Sequence, residues 1–372
     1  MSAHFTVHVG LAQAQYDITI FSSAEFSDAS TDVSVGPTAH VLNDLRPLTH
    51  VVVITDNNVA ALHAIPFAEK CRGHVDRVDL ITVPAGEASK SIEQADRLWQ
   101  QMLEVGADRQ TVVAAVGGGV VGDLAGFVAA TYARGVRFLQ VPTTLLAQVD
   151  SSVGGKVGIN LPHAKNLVGA FWQPAAVIID TAALSTLPDR EFRSGIAEVV
   201  KYGVIMDEPF FEYLDRNVTA IIQREPQALK HIVARCCQLK SDVVEADETE
   251  TTGRRAILNY GHTFAHAFES VGGYGRLLHG EAVAIGMTCA ARLAERRGMV
   301  PGGFTDRQVK VLQAFDLPTT TPDYDVKKLL AAMKLDKKTS HGKIHFILPE
   351  HGMGKMTLVG DITNNEILAA LG

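Results

Sequence analysis

From residue 49 to residue 188 the chain alternates short apolar runs with amphipathic or glycine-rich stretches. THVVVITDNNV (49–59) reads as a buried strand ending in Asp56, and VDLITVPAGEASKS (78–91) as a second strand with its loop. QTVVAAVGGGVVGDLAGFVAATYARG (110–135) reads as strand, glycine loop and helix, and VRFLQVPTTLLAQV and AAVIIDTAALSTLP add two more apolar strands. Apolar strands in this rhythm predict a parallel sheet with crossover helices. After about residue 188 the pattern changes to a helical period. TLPDREFRSGIAEVVKYGVI opens with Thr186 and Asp189 at capping-box spacing, and HGEAVAIGMTCAARLAERRG (279–298) is a further helix stopped by Gly298 and Pro301. Only GKIHFILPE, near the C-terminus, reads as a strand, half of a small hairpin.

The chain has 372 residues, and single cores stop growing near roughly 250–300 residues, so two domains are expected. The boundary falls near residue 188: an α/β domain, 1–188, and a mainly α-helical domain, 189–372. With 34 Lys+Arg against 41 Asp+Glu the net charge is −7, which argues against a nucleic-acid partner held by phosphate neutralisation. No apolar run reaches the roughly 18 residues of a membrane span, so no membrane partner is expected. Cys71, Cys236, Cys237 and Cys289 form no CxxC pair and read as reduced and buried. The N-terminal MSAHFTVHVGLAQAQYDITI alternates apolar residues without a basic, signal-like start, which makes the cytoplasm the expected location.

Three stretches carry candidate chemistry. GGGVVG (117–122) satisfies G-x-G-x-x-G between a strand and a helix, where glycines admit a pyrophosphate to the helix N-terminus; this gives the first domain a Rossmann-like reading. No acid lies about 20 residues on to take a ribose, so Asp56, ending an earlier strand, is the candidate acid. SSVGGKVGIN (151–160) fails as a P-loop, since no glycine lies five residues before Lys156 and Val157 stands where Ser or Thr would hold magnesium. Lys156 nonetheless sits near Asp150, Lys165 and Asn166, a cluster suited to a phosphate or carboxylate or, equally, a surface turn. ILNYGHTFAHAFES (257–270) places His262 and His266 four apart on one helical face. That spacing fits a metal pair, a packing coincidence, or a division in which only one imidazole meets a metal.

Taken in order, GGGVVGDLAGFVAATYARG, QVPTTLLAQVDSSVGGKVGIN, GIAEVVKYGVI, LNYGHTFAHAFE and LHGEAVAIGM closely resemble the 3-dehydroquinate synthases of the sugar-phosphate cyclase superfamily, from about Asp56 to the DKK at 336–338. The resemblance implies an active site in the cleft between two domains and one divalent metal, zinc or cobalt, on Glu198, His262 and His279. His266 then contacts substrate near its phosphate. It implies NAD on Asp56, Asn58, Glu87, Lys90, Gly118, Gly119, Val120, Val121, Gly122, Asp123, Thr143 and Thr144, with Ala183, Thr186, Leu187 and Glu191 at the domain junction. Asp150, Lys156 and Lys165 fall where nicotinamide and substrate meet. Asn166, Lys240, Arg255, Asn259, His266 and one of Lys337 and Lys338 complete the pocket for a small anionic sugar phosphate, with Asp150, Lys201 and His266 as catalytic candidates. Arg134 matches an arginine reaching a neighbouring subunit's site, which implies a homodimer.

The implied reaction converts 3-deoxy-D-arabino-heptulosonate 7-phosphate to 3-dehydroquinate and phosphate without net redox. Val157 and Leu161 stand where the family commonly has Thr and His, and Ala183 where a larger side chain is common. Rivals are cyclases making 2-deoxy-scyllo-inosose or valiolone-type cyclitols, whose substrates lack a carboxylate, and metal-dependent polyol dehydrogenases. Lys240, Arg255 and Asn259 favour the synthase over both.

Overall fold

The apolar runs of the first half become strands of one seven-stranded sheet. A computed structural model describes residues 4–11, 14–25, 36–162, 164–273, 275–335 and 344–372. In chain order the strands are β1 (His4–Gly10), β2 (Gln15–Phe21), β3 (His50–Asp56), β4 (Arg77–Val83), β5 (Val112–Gly117), β6 (Arg137–Pro142), β7 (Lys156–Leu161), β8 (Ala164–Phe171), β9 (Ala176–Asp180), β10 (Phe346–Pro349) and β11 (Met356–Val359). The sheet order is β1-β2-β9-β6-β5-β3-β4. Every neighbouring pair is parallel except the edge hairpin β1–β2. As period two requires, Val51 and Val53 pack in one core with Val112 and Ala114, while Val52 and Ile54 pack in another with Val113 and Ala115. Both faces are therefore covered, which is why these strands read as unbroken apolar runs.

The helices are α1 (Pro37–Asp44), α2 (Ile65–Arg72), α3 (Ile92–Glu104), α4 (Gly119–Thr131), α5 (Asp189–Met206), α6 (Glu208–Arg216), α7 (Val218–Ile222), α8 (Pro226–Ala246), α9 (His262–Gly272), α10 (His279–Arg296), α11 (Phe304–Ala314), α12 (Val326–Leu335) and α13 (Asn364–Leu371). The chain forms two compact units, residues 1–187 with 226–249, and residues 188–225 with 250–372. The first is the α/β unit. The second is mainly helical, with the hairpin β10–β11 expected of GKIHFILPE.

Three local expectations need correction. A single boundary at residue 188 leaves α8 in the helical part, whereas α8 returns to the α/β unit and packs on β1 and β2. The edge hairpin needs a cover, and polar ties fix it: Glu245 accepts the Gly10 N–H at 2.8 Å and Lys230 pairs with Glu25 at 2.6 Å. Thr186 is not the cap of α5. It ends a 3-10 turn in which its hydroxyl donates to the Ala183 carbonyl at 3.0 Å, and Pro188 stands at the cap position. The Lys156 stretch is not a surface turn but the start of β7, in an antiparallel hairpin with β8. Gly154 and Gly155, at φ 98° and 66°, make the bend before it. The four cysteines are free thiols and buried, as expected.

Candidate active site

In the helical unit, three elements converge on one buried carboxylate. Glu198 lies on α5, His262 opens α9 and His279 opens α10. Gly280 explains the approach of α10, because a Cβ there would lie 1.8 Å from the Ser194 carbonyl oxygen. The first turn of α10 thus rests on the α5 backbone, one turn before Glu198. Ser194 Oγ accepts the Gly280 N–H at 3.0 Å, and Arg190 grips Glu281 through Nε and Nη2 at 2.7 and 2.8 Å. On the other side of α10, a Cβ on Gly286 would lie 2.2 Å from the Gly261 oxygen, so α9 and α10 meet backbone to backbone.

His262 Nε2 and His279 Nε2 stand 3.7 and 3.6 Å from Glu198 Oε1, and one donor atom from each of the three residues lies within 4.8 Å of the others. A tetrahedral zinc with N and O ligands at about 2.0–2.1 Å separates its ligands by roughly 3.3–3.5 Å, so the donor set fits a divalent metal. The far side of each imidazole is also arranged for one. His262 Nδ1 lies 3.1 Å from the Tyr260 carbonyl oxygen and His279 Nδ1 lies 3.5 Å from Glu269 Oε1, acceptors that direct Nε2 toward the cluster. Burial opposes a charge on His279, but hydrogen bonds to Glu198 and Glu269 outweigh it and push its pKa up to about 10. The ammonium of Lys201 touches Glu198 Oε2, and both side chains are buried. A buried carboxylate needs such a partner.

His266 is half-buried, its ring edge-on to His262 at 5.6 Å, and it is not one of the three clustered donors. Arg255 is buried with its Nε 3.6 Å from Glu250 Oε1, and Asn259 ends the same 3-10 turn. Glu191 is exposed on the first turn of α5. Lys337 and Lys338 lie outside the described residues.

In the α/β unit, the glycine loop has a packing role beside any ligand role. Cβ atoms on Gly118, Gly119 and Gly122 would lie 3.0 Å from Thr144, 3.1 Å from Ser151 and 2.9 Å from Gln140. Helix α4, carrying Val120, Val121 and Asp123, therefore starts hard against β6 and the segment after it, capped by Gly118 with no side-chain bond to its first amides. Such an uncapped start suits an anion. Thr143 donates its N–H to the Gly117 carbonyl at 2.9 Å, and Thr144 Oγ1 accepts from Ala147 at 3.2 Å.

Lys90 is buried, donating to Asp123 Oδ2 at 2.6 Å and Asn166 Oδ1 at 2.5 Å. Burial raises the Asp123 pKa, with the Lys90 charge opposing. Glu87 accepts from Asn160, whose own oxygen accepts the Asn166 N–H. Asp56 Oδ1 takes the amides of Asn58 and Val59 at 2.8 and 3.2 Å. Lys240, from the returning α8, donates to both the carboxylate and the carbonyl of Asp150 at 2.6 Å. Lys156 is exposed, Lys165 half-buried, Ala183 buried and Leu187 half-buried. Thr186 Oγ1 meets His63 Nε2 at 2.8 Å. Arg134 is exposed, with φ 69°. Reading the sequence missed Glu269, Tyr260, Ser194, Glu281 and Asn160, all of which act by orienting a neighbour.

The parallel α/β unit with its glycine loop, followed by helices that carry a Glu-His-His cluster, is the architecture of solved sugar-phosphate cyclases. The solved 2-epi-5-epi-valiolone synthase from Streptomyces hygroscopicus, with NAD+ and Zn2+ bound, superposes with a TM-score of 0.86 at 29% identity over 97% of both chains. A 2-deoxy-scyllo-inosose synthase complexed with carbaglucose-6-phosphate, NAD+ and Co2+ gives 0.85 at 26% identity, over 99% of this chain and 100% of that one. Family models described as 3-dehydroquinate synthase N-terminal and C-terminal match residues 80–194 and 195–339. The 3-dehydroquinate synthase of Rhodopirellula baltica is 52% identical over 323 residues, 87% of this chain and 86% of that protein. The chain belongs to the 3-dehydroquinate synthase family, whose members are phosphorus-oxygen lyases. Among the described residues no helix is long and apolar enough to cross a membrane.

Proposed function

We propose that the chain converts 3-deoxy-D-arabino-heptulosonate 7-phosphate to 3-dehydroquinate and inorganic phosphate, the second step of the shikimate pathway. In this reading NAD sits on the α/β unit, and one zinc or cobalt ion is held by Glu198, His262 and His279. The observation that carries it is the three-donor cluster, backed on both imidazoles by an acceptor at Nδ1. When bound, the metal supplies Lewis acidity to vicinal hydroxyls and NAD supplies a reversible hydride acceptor, so that oxidation, phosphate elimination, re-reduction, ring opening and aldol closure leave no net redox change.

The side chains bind, orient and hold protons. On the α/β unit the uncapped start of α4 faces a pyrophosphate with its amides, and Lys156, Lys165 and Asn166 are the cations and amide assigned to the anionic ends of the ligands. Asp150, held by Lys240 at 2.6 Å, presents a fixed carboxylate as acceptor for a substrate hydroxyl. On the helical unit Lys201, one turn from Glu198, offers its ammonium as a hydroxyl partner, Arg255 has the fork that grips a carboxylate, and Asn259 and His266 suit a phosphate. The chain's 52% identity to a synthase, against 26–29% to the two cyclitol cyclases, favours the carboxylate-bearing substrate.

Metal removal tests the reading. Chelator-stripped protein should release no phosphate from this substrate, and about one equivalent of zinc or cobalt per chain should restore activity. Full activity in stripped protein, or metal rescue of Glu198→Gln to the wild-type rate, would contradict it.

A further inference from the structure

We propose that Glu269 is a positioning residue for the metal: its carboxylate accepts the Nδ1 proton of His279 and so fixes that imidazole in the tautomer that turns Nε2 toward Glu198. The proposal rests on the reading of Glu198, His262 and His279 as a metal site. The two imidazoles are not held alike. His262, with 11% of its side chain exposed, has its Nδ1 3.1 Å from a backbone oxygen that cannot rotate away. His279 is the first residue of α10 and 33% exposed, so its ring has more freedom about χ1 and χ2. A carboxylate on a different helix restrains it, with Glu269 Oε1 at 3.5 Å from Nδ1 and the Glu269 side chain only 12% exposed.

Glu269 lies seven residues after His262, two turns along the same face of α9. One face of α9 thus provides a ligand and, through Glu269, the restraint on a second ligand carried by α10. Acceptors of this kind behind a metal-binding imidazole fix its tautomer and raise its basicity, and their loss costs about 10–100-fold in metal affinity.

The test is cobalt binding to stripped protein, followed by chelator competition and by the visible spectrum of the bound ion, in wild type, Glu269→Gln, Glu269→Leu and Glu198→Gln. Glutamine keeps the size and an acceptor oxygen but loses the charge; leucine removes the acceptor. The expected dissociation constants rise about tenfold for Glu269→Gln and about a hundredfold for Glu269→Leu, with an altered cobalt spectrum in the leucine variant and unchanged NAD affinity in both. Wild-type cobalt affinity and spectrum in folded Glu269 variants, alongside lost binding in Glu198→Gln, would overturn the proposal and leave the metal site standing. Retained binding in Glu198→Gln would overturn both. If Glu269→Leu does not fold, Glu269→Gln decides alone.

Discussion

His262 and His266 lie one turn apart on α9, yet only His262 joins Glu198 and His279 in the three-donor cluster. Spacing made them a pair, because four residues bring two side chains onto one helical face whatever those side chains do. The partner of His262 comes instead from another helix, which no local spacing reveals. A finer signal was present: His262, His266 and Glu269 fall at i, i+4 and i+7 on a helix whose Phe264, Ala265, Ala267 and Phe268 are buried. A polar stripe along an otherwise buried helix marks a site better than two histidines do. In the proposed site, His266→Ala should lower kcat while leaving cobalt affinity at the wild-type value, which separates its role from that of His262. Arg255→Ala should raise KM for the substrate by about tenfold to a hundredfold, the worth of a charged hydrogen bond, with NAD affinity unchanged. Equal loss of both affinities would remove Arg255 from the carboxylate role.

Strands β3, β5, β6 and β9 were legible as elements because burial on both faces leaves continuous apolar runs, and α10 because its period and its stop at Gly298 agree. The hairpin β7–β8 was not, since glycines and a lysine mask its register. Helix packing was equally hidden. Gly280 and Gly286 each stand where a methyl group would strike backbone, at 1.8 and 2.2 Å. Gly280→Ala should therefore push α10 off α5, costing about 1–3 kcal/mol of stability through overpacking and weakening cobalt binding. Thermal melting with and without metal checks this; an unchanged melting temperature and metal affinity would mean that α10 shifts freely and that Gly280 does not set the site.

The path of the whole chain was the least legible feature, because the return of α8 to the α/β unit depends on long-range pairs such as Glu25–Lys230 and Asp150–Lys240 that no window of sequence displays. That return buries Cys236 and Cys237. Burial pushes the thiols of Cys71 and Cys237 up to about 12 and that of Cys289 up to about 11, so little thiolate is present near neutral pH. A thiol reagent at pH 8 should therefore find no cysteine in the native protein and all four after denaturation. The homodimer that the family resemblance implies makes a sharper demand. If Arg134 serves a neighbour's site, mixing inactive Arg134→Ala and Lys201→Met chains should recover about a quarter of the wild-type activity, since half the dimers are mixed and each mixed dimer has one complete site. No recovery after subunit exchange would place Arg134 in its own chain's site, and an active Arg134→Ala homodimer would place it in none.

The central claim is a cyclisation without net redox on a carboxylate-bearing sugar phosphate. It is tested most directly by giving the zinc-loaded protein 3-deoxy-D-arabino-heptulosonate 7-phosphate with catalytic NAD, and following phosphate, 3-dehydroquinate and NADH together. Equimolar phosphate and 3-dehydroquinate with no accumulated NADH is the predicted result. Steady NADH accumulation, or turnover of a carboxylate-free sugar phosphate with none of this substrate, would contradict it.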